Sequence, residues 1–184
     1  MRKYTAGLIL MVFLLGGAYG QSAFEEKKVV LQGGFGYSPL GFLGNTKGIP
    51  LSFSVDYGVS KEFSVGVYAG RHSSRDVLIQ AIPGWFEESG IDYGYTSIAV
   101  RALYHVDLFG SKKIDTYGVV SLGYCIVSAS MFGEVSGLAA KESFLLYGGG
   151  GGIRYFFTPN IGIFVEAGYG AGIDLLGIGI SFKF

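Results

Sequence analysis

The sequence predicts an all-β fold, an eight-stranded antiparallel transmembrane up-and-down β-barrel. Three observations predict it. Large apolar residues alternate with small or polar ones at period two in eight segments, the pattern of strands with one greasy face and one small, polar face. The 184 residues include 32 glycines, 15 phenylalanines and 13 tyrosines, yet only 15% are charged. Beyond the N-terminus no run reaches the roughly 20 apolar residues that a spanning helix needs, so a membrane would be crossed by strands. The 14 basic and 14 acidic groups balance, which leaves no basic footprint for nucleic acid.

The first segment is not part of the barrel. Met1-Arg2-Lys3 is positive, the stretch from Ala6 to Leu15 is apolar, and Ala18-Tyr19-Gly20 has the small-x-small form of a cleavage site. Residues 1–20 therefore read as a secretory signal peptide, leaving 21–184 as the barrel domain. Cys125 is then alone, a small apolar strand residue with no disulfide partner in the chain.

The strands follow in order. In "VVLQGGFGY", from Val29, the odd positions are mostly large. Leu51, Phe53, Val55, Tyr57 and Val59 oppose Ser52, Ser54, Asp56 and Gly58, and Phe63, Val65, Val67 and Ala69 oppose Ser64, Gly66, Tyr68 and Gly70. A fourth strand alternates over 96–105 and a fifth over 119–126. The sixth, 145–155, contains "YGGGGGIRYFF", where five glycines precede an arginine set between Ile153 and Tyr155. The seventh and eighth run over 161–169 and 176–184. Connections at 59–62, 107–113 and 158–160 are short, and those at 38–48, 72–93 and 127–143 are longer, the asymmetry of an outer-membrane meander. A ten-residue strand tilted near 40° covers roughly 25 Å, the height of the apolar band. A soluble lipocalin-like barrel fits less well, because the second face is too small and too sparsely charged to meet water.

These residues also carry a family resemblance. "GIRYFFTPNIGIFVEAGYG" and the final "LLGIGISFKF" resemble the last hairpins of small Gram-negative outer-membrane barrel proteins, catalogued as porin-family or outer-membrane beta-barrel-domain proteins. "IAVRALYHVDLFGSKKIDTYGVVSLGYCIVS" is similar to the middle hairpin of that group. The resemblance implies an architecture like the OmpA membrane domain, OmpX and Ail. It also implies insertion by the outer-membrane assembly machinery, whose C-terminal signal resembles Ile178, Ile180, Phe182 and Phe184.

Parity places Asp56, Arg101, Asp115, Arg154, Glu166 and Lys183 in the interior, with His105 near one end. Unpaired charge there is costly, so these six are expected to form a salt-bridge network that plugs the lumen. A narrow pore for small solutes, with the same residues setting selectivity, is the alternative. The only foothold for an enzyme is "RHSSRD", where His72 and Ser74 sit two apart with Glu87 and Glu88 across the loop. It weakly resembles the His-x-Ser segment of lipid A deacylase barrels, but parity turns both side chains inward. No catalytic set, metal site or cofactor site is expected. Leu78, Ile79, Ile82, Trp85 and Phe86 form an apolar cluster in the 72–93 loop, where strand extension or contact with lipopolysaccharide or a surface partner would use them. The expectation is a monomeric barrel with a structural or surface-interaction role carried by loops 72–93 and 127–143.

Overall fold

The computed structural model describes residues 23–37, 45–82, 85–132, 139–171 and 176–184. The segment read as a signal peptide lies outside them. The strands are β1 (Val29–Tyr37), β2 (Asn45–Thr46), β3 (Leu51–Gly58), β4 (Phe63–Ile82), β5 (Trp85–Val106), β6 (Ile114–Phe132), β7 (Ala139–Phe156), β8 (Ile161–Ala171) and β9 (Leu176–Lys183). The two residues of β2 pair only with Ser74 and Arg75 of β4. The other eight form one antiparallel ladder from β1 through β9 in chain order, and β9 pairs back on β1, from Val30↔Lys183 to Tyr37↔Leu176. Closure leaves no open sheet edge at the level of the apolar belt, the condition for crossing hydrocarbon as a sheet.

The apolar face points out. Phe53, Val67, Val100, Leu122, Leu145, Val165 and Ile180 are exposed around the circumference. Aromatic residues border this belt, with Phe63, Phe157 and Phe184 at the short-turn end and Tyr124, Tyr147 and Tyr169 toward the other. Past those tyrosines the outward positions become polar, at exposed Arg71, Ser128 and Ser143. The membrane-spanning segments therefore stop near these positions.

The long connections are shorter than the sequence suggested. The β4–β5 ladder continues from Phe63↔Tyr104 to Ile82↔Trp85, β6 reaches Phe132 and β7 starts at Ala139. Most of 72–93 and 127–143 is thus strand. Serine and charge in these stretches obscured their period, because a strand outside the membrane needs no apolar face. Twenty paired residues on one strand rise roughly 50 Å at a tilt near 40°, about twice the apolar band. β4 to β7 consequently stand as a four-stranded wall above the belt. Arg75 and Asp92 tie the wall together with two hydrogen bonds of 2.6 and 2.7 Å, and Lys47 adds a third at 3.0 Å. The hydrogen-bonded Arg75 guanidinium, with Lys47 beside it, holds the Asp92 carboxyl well below the usual carboxylate range. Of the apolar cluster, Leu78, Ile79, Ile82, Trp85 and Phe86 lie in the backbone ladder, while their side chains lie outside the described residues.

Candidate functional site: a side-chain plug across the lumen

The interior is filled at mid-barrel by one connected group of polar side chains. Its hub is Arg154, which follows the glycine run on β7 and is fully buried. Arg154 Nη2 donates to Asp56 Oδ2 at 2.7 Å and to Gln32 Oε1 at 2.8 Å, while Nη1 donates to Asp115 Oδ2 at 2.9 Å. The guanidinium also lies over the Tyr117 ring, 4.2 Å from its centroid. A planar cation with five donors suits this position, since it reaches two carboxylates and an amide while stacking on an aromatic face.

A second cation completes the layer. Arg101 Nη2 donates to Glu166 Oε2 at 2.8 Å, and its Nε lies 3.2 Å from Asp56 Oδ1. The Tyr117 hydroxyl donates to the same Glu166 oxygen at 2.8 Å. Gln32 accepts from Ser54 Oγ at 3.1 Å. Asp56 therefore bridges the two arginines, and Glu166 is shared between Arg101 and Tyr117.

Glycine makes two of these crossings possible. Gly66 on β4 pairs with both Asp56 and Arg101 on the flanking strands. A Cβ there would overlap the Asp56 carboxylate, so its absence lets Asp56 lie across β4 toward Arg101. Gly152, the last of the five glycines, pairs with Tyr117 and Glu166. A Cβ there would overlap the Tyr117 ring. The glycine run gives that ring a bare backbone to lie on, and Tyr117 reaches Glu166 across it.

Toward the short-turn end the network continues from Asp115 into two further residues, His105 and Ser64. His105 Nδ1 is 2.7 Å from Asp115 Oδ1, and His105 Nε2 is 2.8 Å from Ser64 Oγ. This is the hydrogen-bond order of an acyl-transfer triad. Its setting is that of a strut. Ser64 is fully buried, Asp115 is shared with Arg154, and the Phe24 ring lies flat on the imidazole at 3.5 Å. The chain of bonds fixes the ring and extends the plug to β4.

Five of the six charges assigned by parity, Asp56, Arg101, Asp115, Arg154 and Glu166, meet in this layer. Lys183 does not. It pairs with Glu25 at 2.6 Å and donates to the Ala23 carbonyl at 2.8 Å, beneath the barrel mouth. The Lys183 hydrogen bond holds the Glu25 carboxyl below its ordinary value. With Lys183 drawn away, three carboxylates face two guanidiniums, and the Tyr117 hydroxyl adds a neutral donor to Glu166. Gln32 and Tyr117 escaped a reading based on charge, although their inward parity was available. Glu25 and Phe24 precede the first alternating segment and carry no periodic signal.

Beside the plug lies a cavity of about 30 Å³ lined by Gln32, Ser52, Ser54, Tyr68, Arg101 and Glu166 among others. That is room for about one water molecule. The lumen is shut at this level. His72, beyond the outer rim of the belt, stacks with Tyr95 at 5.7 Å, and neither of its ring nitrogens has a hydrogen-bond partner among the described residues. Burial pushes its imidazole below the ordinary value. The His72–Ser74 pair required for acyl transfer is thus not joined by a hydrogen bond, and the side chains of Glu87 and Glu88 lie outside the described residues. No group of three metal-ligating side chains occurs among the described residues. Cys125 is buried and unpaired.

Residues 8–182 match the family described as outer membrane protein beta-barrel domain. No curated protein matches the chain in sequence. Among solved structures, it is similar to the N-terminal beta-barrel domain of Pseudomonas aeruginosa OprF, with 16% identity over 86% of this chain and 98% of that one at a TM-score of 0.54. A major outer membrane protein from Thermus thermophilus shares 12% identity over 85% and 99% of the two chains, at a TM-score of 0.57. Neisserial surface protein A shares 18% over 85% and 94%, at a TM-score of 0.50. At these identities the likeness to solved structures is one of fold. The family match spans nearly the whole chain and agrees with a closed barrel whose greasy face points outward: this protein belongs to the outer membrane protein beta-barrel domain family.

Proposed function

We propose that this chain is a closed, monomeric scaffold in a Gram-negative outer membrane, exported with cleavage after residue 20, which presents the β4–β7 wall to the cell exterior. The observation that carries this reading is the contrast between the two halves of the molecule. The lumen is filled by the Arg154 and Arg101 layer, while four consecutive strands continue past the apolar belt. A barrel that served as a pore would have no use for such a layer. A barrel that served as a scaffold gains rigidity from it. Contacts with lipopolysaccharide and with a surface partner fall to the wall, and the alternating Ile178, Ile180, Phe182 and Phe184 serve the assembly machinery during insertion. The protein acts without catalysis or cofactor on this reading.

The test uses sidedness. In a Cys125→Ser background, a cysteine placed at Gln80 in the wall is expected to react with a membrane-impermeant maleimide on intact cells. One placed at Gly110, in a short turn, is expected to react only after the outer membrane is permeabilised. Reaction at Gly110 on intact cells, or none at Gln80, would remove the reading. Membrane fractionation with heat-modifiable gel migration checks that each variant is a folded barrel.

A further inference from the structure

The residues ahead of β1 take no part in the ladder, yet the first two described are tucked inside it and a third is tied to β9. Ala23 and Phe24 are buried, inside the mouth at the short-turn end. Phe24 stacks on His105 with the two rings 5° from parallel, and the imidazole is itself fixed on both nitrogens by Ser64 and Asp115. The Ala23 amide donates to the Ile114 carbonyl at 3.4 Å, on the far side of the mouth. Lys27, with φ of 65°, reverses the chain into β1. Its amide donates to the Gly58 carbonyl at 2.9 Å, and the Gly58 amide donates back to Lys28 at 2.9 Å. A Cβ on Gly58 would come within 2.7 Å of the Glu25 carbonyl and 3.0 Å of Phe24 Cζ. That glycine leaves room for the segment to pass.

The other anchor is on the last strand. Lys183 of β9 holds both the Glu25 carboxylate, at 2.6 Å, and the Ala23 carbonyl, at 2.8 Å. Its ammonium also lies 5.1 Å from the Phe156 ring centroid. β9 is the strand that closes the barrel on β1. Every other barrel ladder joins neighbours in sequence, so a turn or loop keeps the two strands close. The β1–β9 ladder joins residues at opposite ends of the barrel sequence, Val30 to Lys183, and once parted its strands have the longest loop to close. An added link across this seam therefore has more effect than the same link elsewhere.

We propose that residues 23–28 are a strap that locks the β1–β9 seam from inside the mouth, with Phe24 as its stopper and the Glu25–Lys183 ion pair as its latch. The strap can form only when both ends of the barrel have come together. It is therefore a closing device, fastened last and released first.

Hydrogen exchange read by mass spectrometry on the full protein in micelles tests this. Glu25→Gln and Phe24→Ala are expected to speed exchange about tenfold or more at the short-turn ends of β1 and β9, while 119–126 of β6 keeps its native rate. Glu26→Gln, whose exposed side chain pairs with exposed Lys27 at 3.7 Å, is expected to exchange like the native protein throughout. Should Phe24→Ala fail to fold, Phe24→Leu with Glu25→Gln carries the comparison. Native exchange at the seam in the strap variants would overturn the proposal, as would an equal rise in β6.

Discussion

Arg154 Nη2 lies 2.7 Å from Asp56 Oδ2, joining β7 to β3 straight across the lumen. No side chain on a neighbouring strand could make that link, and it closes the barrel interior as β1–β9 pairing closes its wall. Both groups are fully desolvated, so the pair stands or falls together. Arg154→Met leaves Asp56 and Asp115 without their shared cation, and removing one partner of a buried pair costs about 3–5 kcal/mol. Urea titration in micelles, followed by circular dichroism, should show that loss. Arg154→Lys should fall between the two, because an ammonium cannot serve both carboxylates and stack on Tyr117 together. A native midpoint for Arg154→Met would show that the hub bears no load.

Gly66 and Gly151 make a second comparison. A methyl on Gly66 would meet the Asp56 carboxylate and the Val55 carbonyl, whereas one on Gly151 would meet only a backbone oxygen at 3.2 Å on the lipid side. Gly66→Ala is expected to destabilise by about 1–3 kcal/mol through overpacking, and Gly151→Ala by less. Heat-modifiable migration over a temperature series ranks the two. Equal transition temperatures would contradict the reading that Asp56 needs bare backbone beneath it.

Outside the membrane, the wall should respond to acid late. The Asp92 carboxyl is held down by hydrogen bonds from Arg75, with Lys47 assisting. A carboxylate depressed in the folded state contributes stability that is fully present above its unfolded value, about 3.9. That contribution is lost as the pH falls through the lower folded value. Amide exchange around Arg75 and Asp92, corrected for intrinsic rates, should be unchanged from pH 7 to about 4.5 and rise only below that. Asp92→Asn should remove the acid dependence and loosen this part of the wall at neutral pH. The change should be modest, since the pair is partly exposed.

Much of this architecture was legible in the residues. Alternation at 51–59, 161–169 and 176–184 gave strand, face and direction together, because lipid demands apolar side chains on one face only. The same rule put Asp56, Arg101, Asp115, Arg154 and Glu166 inside. It failed where lipid stops. Along β4 and β5 the outward positions turn polar at Arg71, Ser73, Arg75 and Asp92, so serine, arginine and aspartate interrupt the pattern and a strand looks like a loop. Lys183 had the right parity and the wrong partner, because parity assigns a side of the sheet and not a height in the barrel. Its partner, Glu25, sits in a segment with no period at all.

The central claim is that this lumen is shut, and planar-bilayer recording of the purified protein tests it most directly. The account predicts no current above the bare bilayer for the native chain. Arg101→Ala with Arg154→Ala, which empties the layer around Asp56, should be the first variant to conduct. Steady single-channel conductance from the native protein would contradict the account.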